Sequence, residues 1–316
     1  MTEIVLHDEP FAATRHPRLG YAMVTAAAAL FAINGTVSKV ILTSADITSL
    51  RLTELRATGA FLGLAVFIGL TAPARLRVQR DEVGLLLFYG VVGFALVTWL
   101  YFVAIERLPI GIGLLLEFTA PVLVALWARV MWHEHVRRRV WAALALALAG
   151  LALVAEVWED ARLDTVGVTA GLLAAGALAT YFLVGEHATG RRDALSLTCI
   201  SLGVAAAFWA IVQPWWGFPF DELWQSVSLQ GALESTTAPV WLLSLWMIVL
   251  GTILPFVLSL GALHHLPATR VSIVAMVEVV LASIVAWVWL EETLSAAQLA
   301  GGAIVLTGII LAQTSR

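Results

Sequence analysis

The sequence has a single cysteine, Cys199, set in an apolar run. A lone thiol excludes an intramolecular disulfide and a cysteine-based metal cluster, and its expected role is a small core residue. Charge is scarce too: 13% of the 316 residues are charged, and the formal net charge is -4. No Gly-Lys-Ser/Thr loop is present to cradle phosphates, so direct use of ATP is not expected. Residues 1–17 lack a basic n-region and a small-residue cleavage site and carry Glu3, Asp8 and Glu9, which reads as a soluble tail and not a signal peptide.

What the chain has in abundance is apolar sequence: 60% of its residues are hydrophobic and its mean hydropathy is +0.92. Such usage belongs in lipid. A helix needs about 20 apolar residues to cross the hydrocarbon core. Apolar runs between punctuating charges and prolines predict ten spans, near 18–42, 48–70, 82–104, 110–132, 139–157, 166–187, 194–213, 239–262, 268–290 and 296–314. The segments joining them leave no room for a soluble domain.

Charge is sorted by side. With the N-terminus inside, the inner segments hold Arg15, Arg18, Arg75, Arg77, Arg80, Arg137, Arg138, Arg139, Arg191, Arg192, Arg270 and Arg316, against Arg107 and Arg162 outside. This bias predicts an inner-membrane protein with both termini cytoplasmic. Trp132 and Trp141 flank one inner loop, while Trp158, Trp215, Trp216, Trp241, Trp287 and Trp289 fall at outer ends as interface anchors. Between Gln213 and Pro239, the spacing of Phe220, Leu223, Trp224 and Val227 predicts a short helix lying on the outer surface.

The chain also repeats itself. Leu108-Pro109 recurs as Leu266-Pro267, Gly93 as Gly251, Glu134 as Glu292 and Gly150 as Gly308, while a second register aligns Gly20 with Gly167 and Asp46 with Asp193. Two halves of five helices follow, at 18–157 and 166–316. Five is odd, so the second half lies inverted, an architecture that places a binding site at the repeat interface near the midplane.

Gly20-Tyr21 opening the first helix, Arg56 in the second, Leu108-Pro109 before the fourth and Pro121 followed by His133-Glu134 carry a resemblance to a known group. So do Leu266-Pro267, Glu278-Val279, Glu291-Glu292, Gly301-Gly302 and Gly308 in the second half. The chain resembles the drug/metabolite transporter superfamily in its EamA-domain form, and is similar in size and layout to YddG-like amino acid exporters. The family often has an adjacent Glu-Pro pair in the fourth helix of each half, whereas this chain has Ala120-Pro121 and Glu278-Val279. The resemblance implies a ten-helix all-α basket around a central cavity that alternates between inward- and outward-open states. It implies export of small metabolites, amino acids foremost and aromatic or other apolar ones among them, without catalysis.

Ionisable residues at membrane depth are functional candidates by default. Lys39, Arg51 and Arg56 lie near helix ends, where snorkelling or pairing with Glu54 makes structural anchoring the favoured reading. Glu117 and Glu278 each sit in apolar surroundings in the fourth helix of their half. Proton coupling or recognition of a substrate ammonium is one reading, and a hydrogen bond to a neighbouring helix is the other. The third helix presents Gly90, Gly93, Phe94, Val97, Thr98 and Tyr101 on one face, and the eighth presents Gly251, Thr252, Pro255, Phe256 and Ser259. Thr98, Tyr101, Phe256 and Ser259, with Asn34 and Tyr181, are therefore the expected substrate contacts. Asn34-Gly35 would disrupt the first helix or simply bond a neighbour. Gly59–Gly63 and Gly167–Gly171 read as close-packing motifs.

His133-Glu134-His135 and His264-His265 lack the spacing that puts metal ligands on one helix face. The expected partners are a small-molecule substrate and the bilayer, with no cofactor, metal, nucleic acid or obligate protein partner. An exporter of lipophilic cations, with Glu117 or Glu278 as counter-charge, and an intramembrane lipid-modifying enzyme are the competing functions.

Overall fold

Local capping chemistry sets where the helices begin. In the computed structural model, which describes residues 16–108, 110–133, 136–156, 164–291 and 294–313, Pro17 opens α1 (Pro17–Ser44) and Thr48 caps α2 (Ser49–Thr71), accepting from Arg51 N. The third stretch, α3, runs through Val83–Tyr89, a π turn at Gly90–Leu96 and Val97–Arg107. The fourth, α4, comprises Ile110–Glu117 and Ala120–Val130. Pro121 lacks the N–H that would reach the Glu117 carbonyl, so the break falls between them. Helix α5 is Arg138–Val154. Asp164 and Asp193 cap α6 (Thr165–Thr189) and α7 (Ala194–Val212) through bonds from Gly167 N and Ser196 N. Helix α8 (Val240–His265) carries a second π turn at Val249–Ile253, and α9 (Ala268–Leu290) breaks at Met276. A Ser295–Gln298 capping box starts α10 (Ala296–Gln313).

Among the described residues, eight helical segments are long and apolar enough to cross a membrane, and Ala296–Ala312 is a shorter apolar helix. Ten full-length spans are thus not all realised. The fifth has 17 residues and stops ahead of Glu156, whose backbone is left-handed, while the tenth begins at Ala296, where the sequence predicts it. The tail at 1–15, Pro109, Glu134, His135, Trp158, Arg162, Glu292 and Arg316 lie outside the described residues.

Inverted symmetry is written in the helix contacts. A Cβ on Gly20 would meet Leu266 and His265, and one on Gly167 would meet Leu108 and Arg107, each the repeat-equivalent of the other. Likewise a Cβ on Gly150 would meet Gly301 and Val305, and one on Gly308 would meet Ala143 and Ala147, so α5 and α10 cross backbone to backbone. Gly59 and Gly63 receive Ile248 and Ile253 of α8, and Gly171 receives Leu116. Cys199 is buried in the main core.

Residues 213–239 form no α-helix, and of the predicted short helix only a 3-10 stretch at Phe220–Trp224 is present. Three 3-10 turns, at Trp215–Gly217, Phe220–Trp224 and Gly231–Leu233, accompany a two-stranded ladder of β1 (Ser226–Ser228) on β2 (Thr237–Pro239). Pro214 and Pro219 cannot donate within a continuing helix, and the left-handed Gln230-Gly231 pair turns the chain. Val227 is buried against a second core with Val37, Val40 and Ile41, while Trp216 and Trp224 stay exposed. Gln230 Nε2 donates to Thr43 and Ser44, and Trp289 Nε1 donates to Leu229 O at 2.9 Å, so this cap ties α1 to α9. Trp289 is a tie as well as an aromatic at a helix end.

Candidate functional site

A cavity of about 600 Å³ lies between the halves. Its wall carries Thr43, Leu290 and Leu294 at the capped end of the bundle and reaches Val24 and Ala275 in the other direction. Asn34, Thr98, Tyr101, Glu117, Tyr181, Phe256, Ser259 and Glu278 all lie along it. The structure therefore brings all eight candidate residues to one space.

The π turns and breaks position them. The π turn of α3 precedes Thr98 and Tyr101, and that of α8 precedes Phe256 and Ser259. Glu117 ends the first half of α4, and Glu278 sits in the first turn of the second half of α9. Neither carboxylate hydrogen-bonds a described residue. Glu278 lies within electrostatic reach of Glu117 and of Arg56 without a direct ion pair among the described residues. On one side the cavity is bounded by a cluster of tilted and edge-on rings: Phe94 packs 4.7 Å from Phe256 and 5.5 Å from Tyr181, and Phe31 lies 5.2 Å from Phe256. Tyr89, fully buried, donates to Tyr181 O at 3.0 Å and braces that cluster.

Asn34-Gly35 does not disrupt α1, which is continuous from Pro17 to Ser44. The interruptions fall in α3, α4, α8 and α9; in α4 and α8, Pro121 and Pro255 remove helix donors. Asn34 Oδ1 is buried against Gly251 and has no hydrogen-bond partner among the described residues.

The anchoring reading fits Arg51, which meets Glu54 at 2.7 Å and the Gln213 and Pro214 carbonyls. Arg56 and Lys39 line the cavity. Residues two apart on a helix do not face each other, so Glu54 cannot pair with Arg56. Arg56 Nε instead donates to Thr252 Oγ1 at 2.8 Å, Nη2 approaches Gly251 O at 3.5 Å, and the guanidinium lies 5.7 Å from the Phe256 ring centre. The i, i+2 offset from Glu54 was the signal in the sequence. Of the histidines, His264 Nδ1 contacts Thr189 O at 3.2 Å, and no group of three or more His, Cys, Asp or Glu able to hold a metal occurs among the described residues.

The sequence model of the EamA-like transporter family matches residues 18–155 and 165–314. The chain belongs to that family. Threonine/homoserine exporter RhtA of Escherichia coli strain K12 is 30% identical over 250 residues, 77% of this chain and 76% of that one. The Salmonella typhimurium strain SL1344 protein of the same name is 30% identical over 239 residues, 75% and 74% of the two chains. An uncharacterized transporter of Archaeoglobus fulgidus is 28% identical over 212 residues, 67% and 70%. A solved crystal structure superposes with a TM-score of 0.75 over 93% of this chain and 96% of that one, at 16% identity, which speaks to the fold. The protein is an all-α, multi-pass membrane transporter of the drug/metabolite superfamily and not an enzyme.

Proposed function

We propose that this transporter exports small amino acids across the inner membrane, with both termini cytoplasmic and the halves 18–157 and 166–316 alternating access to the cavity. Asn34, Thr98, Tyr101, Tyr181, Phe256 and Ser259 contact substrate in this reading, and Glu117 and Glu278 bear its charge or a coupling proton. One observation carries it most: a largely apolar cavity of about 600 Å³ whose wall holds Arg56 together with Glu117 and Glu278. A pocket of that size admits a small ligand, and charges of both signs suit a zwitterion. The relatives named for threonine and homoserine export support the same substrate class. A lipophilic cation would find its counter-charges in the two carboxylates but would also meet Arg56.

Counterflow in proteoliposomes tests the proposal. Unlabelled L-threonine or L-homoserine inside should drive accumulation of the labelled amino acid, and Tyr101→Ala or Ser259→Ala should alter substrate preference without lowering the amount of protein in the membrane. Flux of a quaternary ammonium with no flux of any amino acid would overturn it.

A further inference from the structure

Arg56 is the cavity charge whose environment is the most unusual. An arginine at membrane depth must be paired or hydrated, yet its hydrogen-bond partners are neutral. Pro255 explains one of them. Without an N–H, Pro255 cannot reach the carbonyl four residues earlier, and the π turn at Val249–Ile253 accommodates its ring. That carbonyl belongs to Gly251, and Nη2 of Arg56 faces it. Thr252 explains the other. Its hydroxyl donates to Met247 O at 2.8 Å, which leaves the oxygen to accept from Arg56 Nε. A guanidinium has five N–H groups. These contacts use two of them and fix the plane, leaving the rest of a rigid fork in a wall of the cavity.

We propose that Arg56, held on the π turn of α8, binds the carboxylate of the transported amino acid while Glu278 binds its ammonium. The proposal rests on the amino-acid reading and gives it a chemical polarity: the ligand must carry both charges. A fixed guanidinium matches a carboxylate in a two-bonded fork, a geometry an amide or ester cannot reproduce with charge assistance. Glu278 is the better ammonium partner of the two carboxylates. It stands in the first turn of a half-helix, where the dipole and unsatisfied N–H groups favour a negative charge, whereas Glu117 stands at a C-terminal end.

The test is a competition panel against labelled L-threonine counterflow, using L-threonine, L-threonine amide and 1-amino-2-propanol. Wild-type protein should bind the amide and the amine at least about tenfold more weakly than threonine, about 1.4 kcal/mol or more. Arg56→Gln should bring threonine down to the level of the amide and leave the amide unchanged, so their ratio falls to near one. Arg56→Lys should recover part of the ratio, and Thr252→Val should reduce it by loosening the guanidinium. Equal binding of threonine and its amide by the wild type, or an unchanged ratio in folded Arg56→Gln, overturns the proposal and leaves the amino-acid reading standing. If Arg56→Gln does not fold, the wild-type panel and Thr252→Val decide. Absence of counterflow with every amino acid overturns the amino-acid reading itself, and this proposal with it.

Discussion

Replacing Gly150 by Ala puts two known effects against each other at one position. In a helix interior the change favours folding by about 0.8–1 kcal/mol, because alanine is the better helix former. At Gly150 the added methyl would stand 2.7 Å from both Gly301 O and Val305 N, and 2.8 Å from a Val305 methyl. The first two are backbone atoms, so no rotamer change relieves them. Restoring ordinary contact near 3.4–4 Å requires α10 to move off by roughly 0.7 Å or more, a strain of the overpacking class that costs about 1–3 kcal/mol. Gly176, inside α6, has nothing within 4 Å of its added methyl and supplies the control. Gly150→Ala should therefore lie about 1–3 kcal/mol below Gly176→Ala in stability, with Gly176→Ala at or above wild type. Thermal unfolding of the purified variants in detergent measures the gap. Equal midpoints would refute the backbone-to-backbone crossing of α5 and α10.

At the other end of the bundle, Glu82 receives two bonds from Arg192, at 2.8 and 3.2 Å, while Arg192 also reaches Arg75 O and Arg77 O. The Arg192 bond holds the Glu82 carboxyl below its usual pKa of 4.5. A depressed folded value means the stabilisation is complete above the unfolded pKa and is lost as pH falls through the lower, folded one. Glu82→Gln should cost about 1–2 kcal/mol at pH 7, with the difference from wild type closing below pH 4.5 in thermal unfolding across pH. Trp289→Phe removes the bond to Leu229 O and should raise proteolysis within 213–239 while leaving the far end protected. If a proton is coupled to export through Glu117, Glu117→Gln should abolish acceleration by an imposed pH gradient yet preserve exchange, and gradient-driven flux persisting in that variant would exclude Glu117 as the carrier.

Legibility of the sequence tracked how local each cause was. Pro121, Thr48, Asp164 and Asp193 act on their own helices, so boundaries and the α4 break follow from residues a few positions apart. Thr98, Tyr101, Phe256 and Ser259 stood out as polar or aromatic breaks on small-residue faces, and the cavity collects them. The partners of Arg56 were hidden because they lie far along the chain, at Gly251 and Thr252. The π turns were hidden too, since a single extra residue in a turn leaves hydrophobic periodicity almost intact. The 213–239 cap followed its prolines and the Gln230-Gly231 turn over its apolar spacing, which four residues alone cannot decide.

The two halves share backbone contacts but not charge. In the register that aligns Gly20 with Gly167, Arg56 aligns with Gly203, and in the register that aligns Gly93 with Gly251, its partner Thr252 aligns with Phe94. Where one half holds a guanidinium on a hydroxyl, the other packs Gly203 against Phe61 and sets Phe94 among aromatic rings. The fourth helices differ in the same way: in the register of Gly93 and Gly251, Pro121 aligns with Val279 and Ala120 with Glu278. An inverted pair with identical charges would present the same site to both sides and hold substrate equally in its two states. A ligand shifts a conformational equilibrium only by its differential affinity for those states. In the alternating access proposed above, confining the Arg56 guanidinium to one half lets the two states differ in affinity for substrate.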